Sequence, residues 1–192
     1  NYDPSATEDD GSCIFIPNLT IQEIHQGNFS GQVVTSGIVT GVYANNNALA
    51  GQPSYAIQNA NGPFSAIWVI GSGVSVGDQV EVAGSVSVVY GLRQILSAVP
   101  TIQSSGNALP AAEILAPSAI NDEQWESVLV QMTGEVASLN ATYGEWLLSD
   151  GVGTGMVAAL GYNAIDDSVD VAGVMMPVVE VGANYRVTGP NF

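Results

Sequence analysis

The residues best suited to chemistry stand at the start of the chain. Asn1 to Cys13 read Asn-Tyr-Asp-Pro-Ser-Ala-Thr-Glu-Asp-Asp-Gly-Ser-Cys and crowd Asp3, Glu8, Asp9 and Asp10 into one short stretch. Asp-Pro and Asp-Gly are turn signals, and no helical or strand period runs through them. Carboxylates this close repel one another unless a cation sits among them. Hard oxygen donors on a loop with a glycine turn suit calcium better than zinc or magnesium. An EF-hand is excluded, because Gly11 at its sixth position would put Ala6 first and Pro17 twelfth. The competing reading is a solvated acidic terminus. Asp166, Asp167 and Asp170 form a second, weaker group of the same kind.

Catalytic constellations are wanting. His25 is the only histidine and lysine is absent, so the usual routes to an activated serine or cysteine have no base. His25 reads as a surface residue at the end of a short helix. The pairs Asp122-Glu123 and Asp166-Asp167 read as solvated turn residues without a proton-handling partner. The run Gly151-Val152-Gly153-Thr154-Gly155 lacks the dinucleotide spacing, since Met156 stands where glycine or alanine is needed, and it reads as a hairpin turn. Tyr55, Trp68, Tyr143 and Trp146 are candidates for a platform that stacks on a neutral glycan, against the plainer reading of core packing.

Charge narrows the partners. Asp plus Glu number 18 against 2 Lys plus Arg, a net charge of −16, and the only cations are Arg93 and Arg186. Neutralising phosphates takes several cations on one face, so nucleic acid and anionic membrane surfaces are excluded as expected partners. Hydrophobic residues make up 46%, enough for a packed core. No apolar run approaches the roughly 20 residues of a membrane span. The single cysteine, Cys13, is either an inert thiol or half of a disulfide whose partner lies outside this chain. With no starting methionine and no signal peptide, the sequence reads as a processed chain or a piece of a longer one.

The elements that must position these residues are strands. Thr20-Ile21-Gln22-Glu23 has capping-box spacing and Gly27 a stop, which predicts a helix of one or two turns. Strands are expected over Gln32 to Val42, Tyr55 to Gln58, Ser65 to Ile70, Val80 to Tyr90 and Leu92 to Leu96, joined by Gly and Asn turns. Ser104 to Pro117 reads as a linker. The order then repeats: a helix start at Asn121, a curved strand from Val128 to Leu139 with Gly134 in the place of Gly37, Glu145 to Leu148 matching Tyr55 to Gln58, then Gly155 to Leu160. The chain's organising strand, Val80-Glu81-Val82-Ala83-Gly84, finds its second copy in Val169-Asp170-Val171-Ala172-Gly173. Tyr185 to Val187 takes the place of Leu92 to Leu96. Valine alternating with carboxylate buries one face, and the glycine marks a bend at a barrel corner. The expected fold is therefore all-β, two tandem five-stranded OB-like barrels with short helices. The expected divisions are residues 1–18 for the acidic loop and leading strand, 19–115 for the first barrel, and 116–192 for the second.

Two resemblances sharpen the reading. The Asn-Tyr-Asp-Pro-x-Ala-x-x-Asp-Asp-Gly-Ser-Cys stretch resembles the acidic repeats of bacterial surface proteins, similar in style to thrombospondin type 3 calcium repeats. That resemblance implies calcium held by Asp3, Asp9 and Asp10, with Asn1 as a further ligand, and an oxidising extracellular setting. Val76 to Gly84 with Tyr90-Gly91-Leu92, Trp125 to Val130, and Trp146 to Gly151 resemble the OB-like modules found beside secreted bacterial nucleases and phosphoesterases. Two functions are expected from this. The first is a non-catalytic extracellular structural protein, stiffened by calcium, whose copies join head to tail through the leading strand Ile14-Phe15-Ile16 into a filament or lattice. The alternative is a polymer- or glycan-binding accessory module of a larger secreted enzyme.

Overall fold

The structure, a computed structural model, describes residues 16–46, 52–140, 145–158, 170–171, 174–175 and 179–191. The fold is all-β. Helix α1, Ile21–Gln26, opens with the expected capping box: the Glu23 N–H donates to Thr20 Oγ1 at 3.2 Å and the Thr20 N–H donates to Glu23 Oε2 at 2.8 Å. Its Ile21 and Ile24 are buried under the first sheet.

That sheet contains β1 (Gly31–Asn46), β2 (Gln52–Gln58), β3 (Ala66–Ile70), β4 (Gln79–Val89) and β5 (Leu92–Ser104). It closes on itself in the order β1-β2-β3-β5-β4. β5 runs antiparallel to β4 and parallel to β3, where Trp68 faces Gln94 and Val69 faces Ile95. Along β4 the inward Val80, Val82, Gly84 and Val86 are buried. Gly84 sits at a break in the β4/β5 register, where a Cβ would meet the Ile95 side chain and the Leu96 carbonyl. The register break matches the expected bend at this glycine.

The second sheet has the order β12-β7-β8-β9, from β7 (Leu129–Asn140), β8 (Glu145–Ser149), β9 (Thr154–Ala158) and β12 (Asn184–Pro190), with β6 (Glu113–Leu115) parallel to β7. Its hydrogen bonds repeat those of the first sheet. In β1, Gly37 precedes the Ile38/Gln58 pair, and the register slips between Val39 and Gly41. In β7, Gly134 precedes the Glu135/Ser149 pair, and the register slips between Val136 and Ser138. Both glycines lie against the backbone of the neighbouring strand's last residue, Gln58 or Ser149. The Gly77 N–H donates to the Val39 carbonyl and Val39 N–H to the Asp78 carbonyl; Gly182, Val136 and Ala183 do the same in the second sheet. Gly77 and Gly182 have φ of +87° and +86°, a turn that favours glycine.

This register corrects the sequence reading of the repeat. Val80 pairs with Gly37, and Tyr185 pairs with Gly134. The second copy of Val76-Gly77-Asp78-Gln79-Val80-Glu81-Val82-Ala83-Gly84 is therefore Val181-Gly182-Ala183-Asn184-Tyr185-Arg186-Val187-Thr188-Gly189, and β12 stands for β4, not β5. The stretch around Asp170 makes a separate two-residue hairpin, β10 (Asp170–Val171) with β11 (Val174–Met175), off the main sheet. The same register matches Trp146 to Ser149, rather than Glu145 to Leu148, with Tyr55 to Gln58. A second closed five-stranded barrel is not formed among the described residues, because no strand lies between β12 and β9.

Smaller corrections follow from local hydrogen bonding. The closing strand β5 runs well past Leu96, to Ser104, and the expected linker contains β6. The second helix start is a 3-10 turn, Glu123–Trp125, capped by Asp122 rather than Asn121. A further 3-10 turn covers Pro117–Ala119.

The two sheets are pinned together by polar groups at an apolar contact. Gln58 is fully buried, and its Oε1 accepts the Leu129 N–H at 2.9 Å while its Nε2 donates to the Ala60 carbonyl at 2.7 Å. The Phe64 N–H donates to the Gln124 carbonyl at 2.7 Å, and the Arg93 N–H donates to Glu126 Oε1 at 2.8 Å. Ala66 on β3 packs into the second core, and the Pro190 ring lies against Gly41 of β1.

Candidate functional site

The first sheet closes through β5, and among the described residues the second sheet has no strand in the matching place. Among the described residues nothing pairs with the outer edge of β12 along Val187–Pro190, nor with the free side of β9. A cavity occupies this seam. It is lined on the β9 side by Met156 and Val157, on the β12 side by Val187 and Gly189, and at its floor by Val130 and Met132. In the first sheet the matching place is filled by β5, whose Ile95 is fully buried.

Burial differs between the two sheets in the same places. The inward residues of β4 are buried, whereas Tyr185, Val187 and Gly189 at the matching positions of β12 are half-buried. Met156 is 51% exposed, although Trp68 at the matching position of β3 is fully buried. A Cβ at Gly84 would strike β5, while a Cβ at Gly189 would meet nothing within 4 Å. Unpaired strand edges beside apolar walls take up an extended segment readily, since main-chain bonds supply affinity and alternate side chains fill the groove.

The metal ligands expected from sequence, Asn1, Asp3, Asp9 and Asp10, lie outside the described residues, as do Cys13, Asp166 and Asp167; of Asp170 only the backbone is described. Among the described residues no three His, Cys, Asp or Glu side chains cluster to hold a metal. His25 is not a surface residue. It is buried, its Nε2 lies 2.9 Å from the Ala66 carbonyl, and its ring lies 5.8 Å from that of Phe64. Burial holds its pKa below the ordinary imidazole value, with the Ala66 bond opposing.

The remaining candidates have structural explanations. Asp122 caps a turn, accepting from the Gln124 N–H and Nε2. The glycine run is the expected hairpin turn, and Asp150 ties it down. Its carboxylate accepts from Ser118 Oγ and from the Gly153, Val152 and Ser118 N–H groups, which hold it well below the usual carboxylate range. Tyr55 and Trp68 are fully buried and Trp146 nearly so, hence no exposed stacking platform exists at these residues; Tyr143 lies outside the described residues. Tyr43 stacks on Trp68 at 5.0 Å, and burial pushes its hydroxyl up to about 12. Of the two cations, Arg93 is buried and donates to the Phe29 carbonyl and Asn28 Oδ1, leaving Arg186 as the exposed one.

No protein-family model and no curated protein matches this chain. Among the described residues no helix is long and apolar enough to cross a membrane.

The seam residues on β12 escaped the sequence reading, although a signal existed. Val181-Gly182 and Val187-x-Gly189 repeat Val76-Gly77 and Val82-x-Gly84 at identical spacing. Tyr185 and Arg186 stand where the first copy has valine and glutamate, which hides the alternation, and Val-Asp-Val-Ala-Gly earlier in the chain imitates the pattern better than the true copy does.

Proposed function

We propose that this chain is a non-catalytic extracellular structural protein whose copies join head to tail, with calcium held by Asn1, Asp3, Asp9 and Asp10 at the joining end. The observation that carries this reading is that, among the described residues, the outer edges of β9 and β12 are unpaired beside a closed first unit of the same hydrogen-bond register. Sheet edges left unpaired among the described residues can accept a strand from another copy, and a head-to-tail contact of that kind propagates. The firm joint between the units, with buried Gln58 at its centre, suits a chain that transmits load. OB-like folding of both units belongs to the same proposal; the 1-2-3-5-4 order with parallel β3 and β5 supports it for the first. Burial of Tyr55, Trp68 and Trp146 removes the stacking face that an accessory glycan-binding module would use.

The test is sedimentation velocity with millimolar calcium and with a chelator. Large species that dissociate in chelator are expected. A monomer under both conditions, across the accessible protein concentrations, would sink the assembly reading.

A further inference from the structure

We propose that Asn61-Gly62 is a self-modifying step, at which the Glu113 carboxylate assists the Gly62 nitrogen in closing a succinimide on the Asn61 side chain. The step stands in the turn between β2 and β3 and is the only Asn-Gly pair in the sequence. Asn61 is exposed and Gly62 half-buried. Gly62 takes φ of +89°, and a Cβ there would meet nothing within 4 Å, so the ring has room to form. Nucleophile and electrophile are neighbours in the chain, which makes the attack intramolecular. What an exposed Asn-Gly step ordinarily lacks is a base. Here the Gly62 N–H donates to Glu113 Oε1 at 2.9 Å, within reach for proton transfer. Glu113 is brought from β6 of the second sheet, 51 residues away.

The Gly62 N–H proton passes to Glu113 as the nitrogen bonds to Asn61 Cγ. The Cγ–Nδ2 bond then breaks, and the proton leaves with that nitrogen as ammonia, which restores the carboxylate. Water opens the imide to aspartate or isoaspartate at position 61. Asp150-Gly151, the other described step of this type, is the contrast. Its carboxylate is pinned by Ser118 and by the Val152 and Gly153 N–H groups, and the Gly151 N–H donates to the neutral Ser149 hydroxyl. The place of the product gives it consequence. A new carboxylate at position 61 stands beside Glu113, and isoaspartate lengthens the main chain just before Phe64, whose N–H donates to the Gln124 carbonyl. The Glu113 and Gln124 bonds both join the two sheets, so conversion loosens the joint as the protein ages.

The test is conversion at position 61, read by peptide mass spectrometry with isoaspartate detection after the full chain is incubated at pH 6 and at pH 8. A free peptide covering residues 57–66, which carries the step without Glu113, runs beside it. Expected is faster conversion in the full chain than in the peptide, by a wider margin at pH 6, where hydroxide is scarcer. Glu113→Gln keeps an acceptor for the Gly62 N–H but cannot take its proton, so it should convert at least fivefold more slowly than native. Asn61→Asp carries the added carboxylate from the start and should melt below native; equal melting would overturn the loosening. A full chain that converts no faster than the peptide would overturn the proposal, since the N–H bond would then protect the step. Equal rates for native and a folded Glu113→Gln would remove Glu113 as the base, and if that variant does not fold the peptide comparison decides alone. Because the readout is the mass at one position, neither result bears on head-to-tail assembly.

Discussion

Replacing Gln58 by leucine should cost the protein a disproportionate part of its stability, because one side chain completes a main-chain bond across the two sheets. Gln58 is the last residue of β2 and has no exposed surface. Its Oε1 is the acceptor of the Leu129 N–H at the very start of β7. Leucine has nearly the same volume, so little cavity or overpacking is introduced. What changes is polar bonding. The Ala60 carbonyl, on an exposed residue, can turn to water, whereas the Leu129 N–H sits on a 6% exposed residue and is left without its acceptor. An unsatisfied buried donor costs about 1–3 kcal/mol. For a chain of this size that corresponds to a melting temperature lower by roughly 2–12 °C. Thermal unfolding followed by circular dichroism measures the loss, and amide hydrogen exchange at Leu129 locates it. A variant that melts within 1 °C of the native protein and keeps Leu129 protected would refute the claim that this bond joins the sheets.

Three further outcomes follow from the same geometry. Burial lowers the His25 pKa, so its contribution to stability is present above the unfolded value of 6.5 and is lost as pH falls through the folded value. Urea midpoints should therefore decline from pH 7 to pH 5, and His25→Gln should flatten that decline. Glu126 behaves oppositely: burial raises its pKa, with the Arg93 N–H bond opposing. Its share of stability is full below about pH 4.5 and is lost as pH rises through the raised value, so Glu126→Gln, which keeps an acceptor for Arg93, should gain stability relative to native at pH 7 more than at pH 4. Among the glycines, Gly134→Ala places a Cβ 2.6 Å from the Ser149 carbonyl oxygen, Gly37→Ala places one 3.1 Å from the Gln58 backbone, and Gly189→Ala meets nothing. Denaturant titration should rank their losses in that order, with about 1–3 kcal/mol for Gly134→Ala; equal losses at the three positions would contradict the ranking by Cβ contact.

Local chemistry was the most legible part of this sequence. The Thr20/Glu23 capping box, the curvature glycines Gly37 and Gly134, the turn at Asp150-Gly151 and the bend at Gly84 are each set by interactions within a few residues or by glycine's lack of a Cβ. Burial was less legible. His25 looked exposed because a helix of six residues presents most of its surface to water, but Phe64 and the Ala66 carbonyl close over it from 39 and 41 residues away. The aromatic residues invited a binding face, whereas β3 is covered on both sides, by its own barrel at Ile67 and Val69 and by the second sheet at Ala66. A pattern of continuous apolar residues, Ala66-Ile67-Trp68-Val69, was the available sign of two-sided burial.

The candidate site was illegible for a different reason. Strand identity in a repeat is fixed by partners, and partners are set by register rather than by resemblance of short strings. Val-Asp-Val-Ala-Gly matches Val-Glu-Val-Ala-Gly in type at every position, yet it cannot replace β4 once Gly182 and Ala183 have taken the Val136 backbone bonds that Gly77 and Asp78 take from Val39. With β12 in the β4 position, the strand equivalent to β5 has no counterpart among the described residues. The organising strand of the sequence therefore recurs through its weaker copy: the glycine that lies against β5 in the first barrel reappears at Gly189 on β12.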